Sequence, residues 1–238
     1  MIDIAVDIGG TFTDVVGLYK QQQLWLAKVP TTPHDVVEGV RQGVANVLAL
    51  AGQPASAVDR FIHSTTVATN AILEHKGAVT GVLMTAGFED VLEIGRQKRS
   101  NMYDLYLDAE TPVFLAPRAR RIGIRERIDA EGQVLEALDE RQVVDAAIQL
   151  QQQFGVQSLA VCYLFSFINA AHEIRTRELL AEHVPEVAVS LSSEVDPVFR
   201  EYERVCVTAF DAYVRPIVAV YMQRLADTLH DMGIAAHL

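Results

Sequence analysis

Residues 2–14, Ile-Asp-Ile-Ala-Val-Asp-Ile-Gly-Gly-Thr-Phe-Thr-Asp, constrain the fold more than any other stretch of this 238-residue chain. Apolar residues alternate at Ile2, Ile4, Val6 and Ile8, the period of a half-buried strand. That strand runs into Gly9-Gly10, and a second apolar run, Val15 to Tyr19, follows the turn. Paired glycines let a backbone reach φ > 0 and bring N–H groups against an anion, because no Cβ stands in the way. Thr11 and Thr13 add hydroxyls. Asp7 and Asp14 flank the turn, where carboxylates can hold the waters of a Mg²⁺, a hard cation that takes oxygen ligands and keeps part of its hydration shell. Gly9-Gly10 alone reads more simply as the closure of a hairpin, with Asp7 a solvated turn residue. Two acids and two hydroxyls on one short loop favour a phosphate site. No Gly-Lys-Ser/Thr follows and no third glycine opens a helix, so the pattern is neither a Walker loop nor a dinucleotide fingerprint.

The rest of the first third extends this start. Lys20 to Gln23 reads as a hairpin turn into a third strand, Leu24 to Val29. Thr32 is expected to cap a helix with Pro33 at its first position and Asp35 completing an approximate capping box. The helix buries Val36, Val40, Val44, Val47, Leu48 and Ala51 and stops at Gly52. Phe61–Ser64 reads as a fourth strand, Val67–Lys76 as a helix ended by Gly77, and Val79–Thr85 as a fifth strand. This α/β order, βββαβαβ with a phosphate turn between the first two strands, is similar to the ribonuclease H-like core of the actin, sugar-kinase and Hsp70 superfamily of ATPases. In that superfamily Asp-x-Gly-x-Thr is the first phosphate motif.

Beyond residue 87 a helix is expected from Phe88 to Arg99, then a loop or inserted subdomain with Pro112 and Pro117, and a half-exposed strand from Ile122 to Ile128. A second α/β block follows. Asp139 caps a helix, with Gln142 at N3 and Val143, Val144, Ala147, Ile148 and Phe154 on its apolar face, up to Gly155. Leu159–Phe165 is a strand, Ala170–His183 a helix, Val187–Leu191 a strand, and Phe199–Met232 a long C-terminal helix that Pro216 should kink or divide near Val214. The expected domains are a phosphate-binding core at 1–87, an inserted subdomain at 88–135 and the second block at 136–238.

Half the residues are hydrophobic, enough for a substantial core. The net charge of −11 opposes binding to nucleic acid or anionic lipid. Cys162 and Cys206 read as free thiols of a reducing compartment. There is no charged leader followed by an apolar core, and no uninterrupted apolar run of about 18 residues. The expectation is a cytoplasmic protein with neither nucleic acid nor membrane as partner.

Four stretches, in order, resemble the N-terminal region of the hydantoinase A and 5-oxoprolinase family. They are Asp7-Ile-Gly-Gly-Thr-Phe-Thr-Asp14, His63-Ser-Thr-Thr-Val-Ala-Thr-Asn-Ala71, Gly87-Phe-Glu-Asp-Val-Leu-Glu-Ile-Gly-Arg-Gln97 with Tyr103-Asp104-Leu105, and Ser193-Glu-Val-Asp-Pro with Arg200-Glu-Tyr-Glu-Arg204. The resemblance implies activation of an amide or ketone oxygen by phosphoryl transfer from Mg-ATP, followed by ring hydrolysis or carboxylation. It also implies a cyclic amide or ketone as substrate and a hydantoinase B-type partner subunit or domain.

On this basis Asp7 and Asp14 are the catalytic candidates, with Asp7 holding Mg²⁺ through water. Gly9, Gly10, Thr11, Thr13, Thr65 and Thr66 are the ATP-binding candidates. His63, Thr69 and Asn70 are substrate candidates, because His63 ends a strand and the hydroxyls of Ser64, Thr65 and Thr66 lie on a strand-to-helix turn suited to an anion. Alternatively Thr66 is an N-cap and His63 a hydrogen-bonded core histidine. Arg96 and Arg99, with Tyr103, either clamp a substrate carboxylate or carbonyl or form a surface charge run. Glu201, Glu203 and Arg204 are either a solvated face or carry an ion pair between Glu201 and Arg204.

Family subunits continue several hundred residues further, and that part supplies the second phosphate motif and the adenosine pocket. A fragment holding half a nucleotide site is therefore expected. Alternatives to the cyclic-amide hydrolase are a ketone carboxylase subunit, a sugar or acetate-type kinase sharing only the first motif, and a non-catalytic docking fragment. The last would present an apolar patch of Val205, Phe210, Val214, Ile217, Val218 and Tyr221 on the long helix.

Overall fold

The computed structural model describes residues 1–20, 22–32, 35–97, 103 and 111–235. The chain divides into two compact units, 1–74 with 217–238, and 75–216. These bounds differ from divisions at 87 and 135.

The first unit begins with β1 (Ile2–Ile8), β2 (Phe12–Tyr19) and β3 (Gln23–Pro30), then α1 (Val36–Ala51), β4 (Val58–Thr65) and α2 (Val67–Leu73). The sheet order is β3-β2-β1-β4, with β4 parallel to β1 and the other neighbours antiparallel. Ile2, Ile4, Val6 and Ile8 are 0–3% exposed, so the alternation in the sequence does mark the buried face. α1 lies close on that face because small residues meet it: a Cβ on Gly43 would stand 2.5 Å from Val15 Cγ2, and one on Gly17 would stand 2.4 Å from Val47 Cγ1. Tyr221, Leu225 and Leu229 complete this core.

The second unit contains β5 (Thr80–Thr85), α3 (Val91–Ile94), β6 (Arg121–Ile124), the hairpin β7 (Arg127–Ile128) and β8 (Val134–Glu136), α4 (Glu140–Phe154), β9 (Ser158–Cys162), α5 (Ala171–His183), β10 (Ala188–Leu191), the short α6 (Ser192–Val195) and the first half of α7 (Glu201–Asp231). Its main sheet is wholly parallel, in the order β10-β9-β5-β6. α4 and α5 cover one face, where Leu83, Val143, Leu150, Val161 and Leu180 are buried. On the other face Leu92 of α3 and Val205 and Ala212 of α7 meet Val82, Met84 and Ala160.

Several expectations are corrected. The fifth strand leaves the first sheet and pairs with β9 and β6. A strand that is buried along its whole length, as β5 is, suits the middle of a parallel sheet. α1 starts at Val36 with Asp35 at its N-cap, so Thr32 is not the cap; Pro33 lies outside the described residues. Within 88–97 only Val91–Ile94 is helical, since Gly95 turns with φ +57°. The expected strand at 122–128 divides into β6 and β7. α2 ends at Leu73, and Gly77 serves packing, because a Cβ there would meet the Tyr213 ring at 2.0 Å. Asp139 caps α4 as expected, its Oδ1 accepting from Gln142 N at 3.0 Å.

α7 is helical through Pro216, and the boundary between the units falls there. Proline has no N–H to give the preceding turn. One turn earlier, the Tyr213 carbonyl accepts a hydrogen bond from Ala78 N at 2.9 Å. Of the six residues expected to form an apolar patch, Val205 and Tyr221 are buried and the others half-buried. By length and mean hydropathy, 1.4 over 18 residues, α7 matches a membrane span, as core helices also do. Val205, Ala209, Ala212, Leu225 and Leu229 are 0–2% exposed within the protein.

Candidate functional site

In the first unit, β1 and β4 run parallel and end side by side, the place where α/β sheets present ligand-binding groups. The register there is specific. Asp7 of β1 stands opposite Asp14 of β2, Asp14 opposite Lys28 of β3, and Asp7 opposite Ser64 of β4. One residue from each strand thus forms a row, Lys28-Asp14-Asp7-Ser64, on the face away from α1. Directly opposed carboxylates repel. Here each is answered from its other side: Lys28 Nζ donates to both Asp14 oxygens at 2.9 and 3.0 Å, and Ser64 Oγ donates to Asp7 Oδ1 at 2.5 Å. Asp7 and Ser64 are exposed.

The β1–β2 turn rises beside this row. Gly9 N donates to Phe12 O at 3.0 Å, and Thr31 holds the turn from beneath, its Oγ1 donating to Gly9 O at 2.9 Å and its N–H to Thr11 O at 2.9 Å. Neither Gly9 nor Gly10 has a positive φ, so the turn does not use the left-handed freedom that the pair offers. Gly9 is constrained by close approach, since its Cβ would lie 3.1 Å from Phe12 O. Apart from its two chain neighbours, no protein residue comes within 4 Å of where a Cβ on Gly10 would be. Gly10 and Thr11 are exposed.

Thr13 departs from expectation. It belongs to β2 and is completely buried, its Oγ1 3.0 Å from Thr31 Oγ1, so its hydroxyl braces the turn from within. Asp14 is likewise a strand residue.

At the end of β4, Thr65 Oγ1 accepts from Val67 N at 3.2 Å. Thr66 occupies the N-cap position of α2, yet its hydroxyl caps no backbone N–H. It reaches Ile8 O at 3.5 Å and accepts from Asn70 Nδ2 at 3.2 Å, which ties the two strand ends together. Thr69 is exposed. His63 is half-buried, and burial pushes its pKa below the usual histidine value. Its Nε2 lies 2.5 Å from the Tyr221 hydroxyl of α7.

Asp7, Asp14, Gly9, Gly10, Thr11, Thr65, Thr66, His63, Thr69 and Asn70 all belong to this unit. Arg96 and Tyr103 belong to the other. Arg96 pairs with Glu203, and Arg99 lies outside the described residues. Arg204 is on no solvated face and makes no ion pair with Glu201. It is 2% exposed, with Nη2 donating to Tyr163 O at 2.5 Å.

The family model for the hydantoinase/oxoprolinase N-terminal region matches residues 3–184. Caprolactamase subunit alpha of Pseudomonas jessenii is 36% identical over 97% of this chain and 34% of its own length. The acetophenone carboxylase gamma subunit of Aromatoleum aromaticum is 36% identical over 89% of this chain and 31% of its own. The crystal structure of the ATP-dependent caprolactamase from Pseudomonas jessenii superposes with a TM-score of 0.84 at 33% identity, over 99% of this chain and 34% of that one. A nucleotide-free acetone carboxylase structure shares the fold, with a TM-score of 0.85 at 23% identity over 97% of this chain and 34% of that one. The chain spans about one third of the length of these relatives. It belongs to the hydantoinase/oxoprolinase family, over the N-terminal region of that family.

Proposed function

We propose that this chain forms the phosphate-binding part of an ATP-dependent enzyme that activates the carbonyl of a cyclic amide before ring hydrolysis. The observation that carries the reading is the row Lys28-Asp14-Asp7-Ser64 beside the Gly9–Thr11 turn, with open space where a side chain at position 10 would stand. Nothing in the protein itself requires glycine there, whereas an anion approaching the backbone does.

The donor set fits Mg-ATP. Two carboxylates on one face of a sheet offer hard oxygen ligands of the kind Mg²⁺ takes, and exposed hydroxyls at Thr11 and Thr66 suit phosphate oxygens. Asp7 would hold the ion, through water, and Ser64 would orient its carboxylate. Thr31 and Thr13 would keep the turn in shape from beneath, so that its donors need no rearrangement on binding. When bound, Mg-ATP would supply the phosphoryl group that turns a poor amide electrophile into one with a good leaving group. A partner subunit or domain of the hydantoinase B type would complete the reaction, which accords with the two relatives named as subunits.

A second reading, ketone carboxylation, is favoured by one observation: the acetophenone carboxylase gamma subunit is as similar as caprolactamase alpha. In a complete enzyme the two differ in whether bicarbonate is consumed.

Calorimetric titration of Mg-ATP into this chain tests the phosphate site. Micromolar to millimolar binding, lost in Asp7→Asn, is expected. Equal binding by both proteins removes Asp7 from the site, and no binding by either removes the nucleotide from this chain alone.

A further inference from the structure

The His63-to-Thr66 stretch is held from α7. Tyr221, 5% exposed, points its hydroxyl at the end of β4, where His63 Nε2 is 2.5 Å away and the Thr65 side chain neighbours the same phenol oxygen. The two rings lie 5.3 Å apart and inclined by 31°. Thr65 Oγ1 already accepts the Val67 N–H.

Two proton orders satisfy these contacts, and the one in which the more acidic phenol donates to the more basic ring nitrogen is favoured. The Thr65 hydroxyl has its own proton to give, and the nearby phenol oxygen can accept it. The phenol is then free to donate its proton to a ring nitrogen. Burial keeps Tyr221 protonated, its pKa pushed up to about 12, and burial disfavours the charged imidazolium of His63. The order is therefore Val67 N–H to Thr65 Oγ1, Thr65 O–H to Tyr221, and Tyr221 O–H to His63 Nε2. Among the described residues, Nδ1 has no hydrogen-bond partner.

Resting on the phosphate-site reading above, we propose that Tyr221 is a positioning residue that locks His63 as the Nδ1–H tautomer and so presents one neutral donor at the end of β4 for an oxygen of the nucleotide or of the carbonyl it activates. A neutral donor suits that place. It can hydrogen-bond a phosphate or carbonyl oxygen without adding a full charge, and its orientation is fixed before a ligand arrives. Asp7 and His63 lie on opposite faces of the sheet, one occupied in the carboxylate row and the other in the relay. The assignment makes Tyr221, 158 residues along the chain from His63, part of the site's supporting shell.

Long-range ¹⁵N correlation spectra of the histidine rings, recorded on the whole chain at pH 8, decide it. The wild type is expected to show His63 protonated at Nδ1. In Tyr221→Phe, which keeps the ring and its packing, the signal should move toward the mixture of tautomers seen for a free imidazole. Thr65→Val should shift it in the same direction and less far. Addition of Mg-ATP should move the His63 Nδ1 resonance in the wild type. Protonation at Nε2 in the wild type, or an identical tautomer in Tyr221→Phe, overturns the relay. A fixed Nδ1–H tautomer whose resonance stays still while the Thr65 and Thr66 amides move with Mg-ATP overturns the donor role. If no resonance in the first unit moves with Mg-ATP, the phosphate-site reading fails and the ligand contact fails with it, while the tautomer measurement still decides the role of Tyr221.

Discussion

Two strand ends in this molecule carry dense polar side chains and treat them in opposite ways. At the ends of β1 and β4, Asp7, Ser64, Thr11 and Thr66 face solvent, and their side chains make few hydrogen bonds: Ser64 to Asp7, and Thr66 to Ile8 O and Asn70. At the ends of β5, β9 and β10 the polar groups are sealed. Glu173, 0% exposed, accepts from Tyr163 N at 3.0 Å, Ser192 Oγ at 2.6 Å and Ser193 N at 2.8 Å. Thr85 binds Glu126, whose other oxygen lies 2.7 Å from His172 Nδ1. The strand order of this second sheet reverses between β5 and β9, the kind of point where doubly wound sheets bind ligands, yet here the protein's own side chains fill it. Polar residues at a strand end are thus no signature of a site by themselves. The distinction lies in whether their hydrogen bonds are already used.

Substitutions at the two ends should consequently fail in different currencies. The largest effect is expected at Glu173→Gln. Whichever way the amide turns, its NH₂ faces a backbone N–H, of Tyr163 or of Ser193, and a buried donor loses its acceptor. A loss of roughly 3 kcal/mol in urea denaturation is expected, from an unsatisfied buried donor and the lost charge-assisted bonds. A loss below about 1 kcal/mol would place the two strand ends in one class and break the comparison.

Asp7→Asn is the counterpart. The amide can still accept from Ser64, so stability should stay within about 0.5 kcal/mol of wild type, while Mg-ATP affinity falls at least about tenfold, equivalent to about 1.4 kcal/mol. Unfolding of this variant would mean that the exposed end is as structural as the sealed one.

Gly10→Val probes the same end sterically. With no positive φ to strain and no neighbour within 4 Å of the new Cβ, folding should be little changed. Nucleotide affinity should drop about fivefold, because the β-branched side chain occupies the space an anion needs. Gly9→Ala differs in kind, since its Cβ meets Phe12 O at 3.1 Å. Melting curves of the two variants separate close approach within the protein from close approach of a ligand.

How much of this was legible in the sequence follows from how local each determinant is. The alternation of Ile2, Ile4, Val6 and Ile8, the Gly52 and Gly155 helix ends and the Asp139 cap are short-range facts, and each is found in the structure. Lys28 was within reach: counting back from the Lys20–Gln22 turn along both strands sets it opposite Asp14. The same count would have set Thr31 beside the phosphate turn and shown Thr13 to be a strand residue. Tyr221 gave no such signal, because what pairs it with His63 is the packing of α7, which no local pattern encodes. The departure of β5 to a second sheet was hidden for a related reason. A fully apolar strand has no polar face to betray its neighbours. Arg204 looked like a solvated helix residue by spacing, and only the buried carbonyl of Tyr163 explains its place.

The smallest expected effect, and the one most specific to the carboxylate row, is that of Lys28→Met. Lys28 and Asp14 have side chains 57% and 50% exposed, so the pair itself is worth less than about 1 kcal/mol. Removing the ammonium nevertheless leaves Asp7 and Asp14 facing each other with only Ser64 to answer them. In low salt without divalent ions the variant should be slightly less stable than wild type, and the deficit should shrink as salt screens the two charges. Mg²⁺ should reverse the order. With its cationic competitor gone, the pair binds the ion more tightly, so millimolar Mg²⁺ raises the melting temperature of the variant more than that of the wild type, as binding to the folded state alone requires. Asp14→Asn in the same background should cancel the gain. If Mg²⁺ stabilises wild type and variant equally, the two carboxylates do not act together, and the row across the four strands is an accident of register.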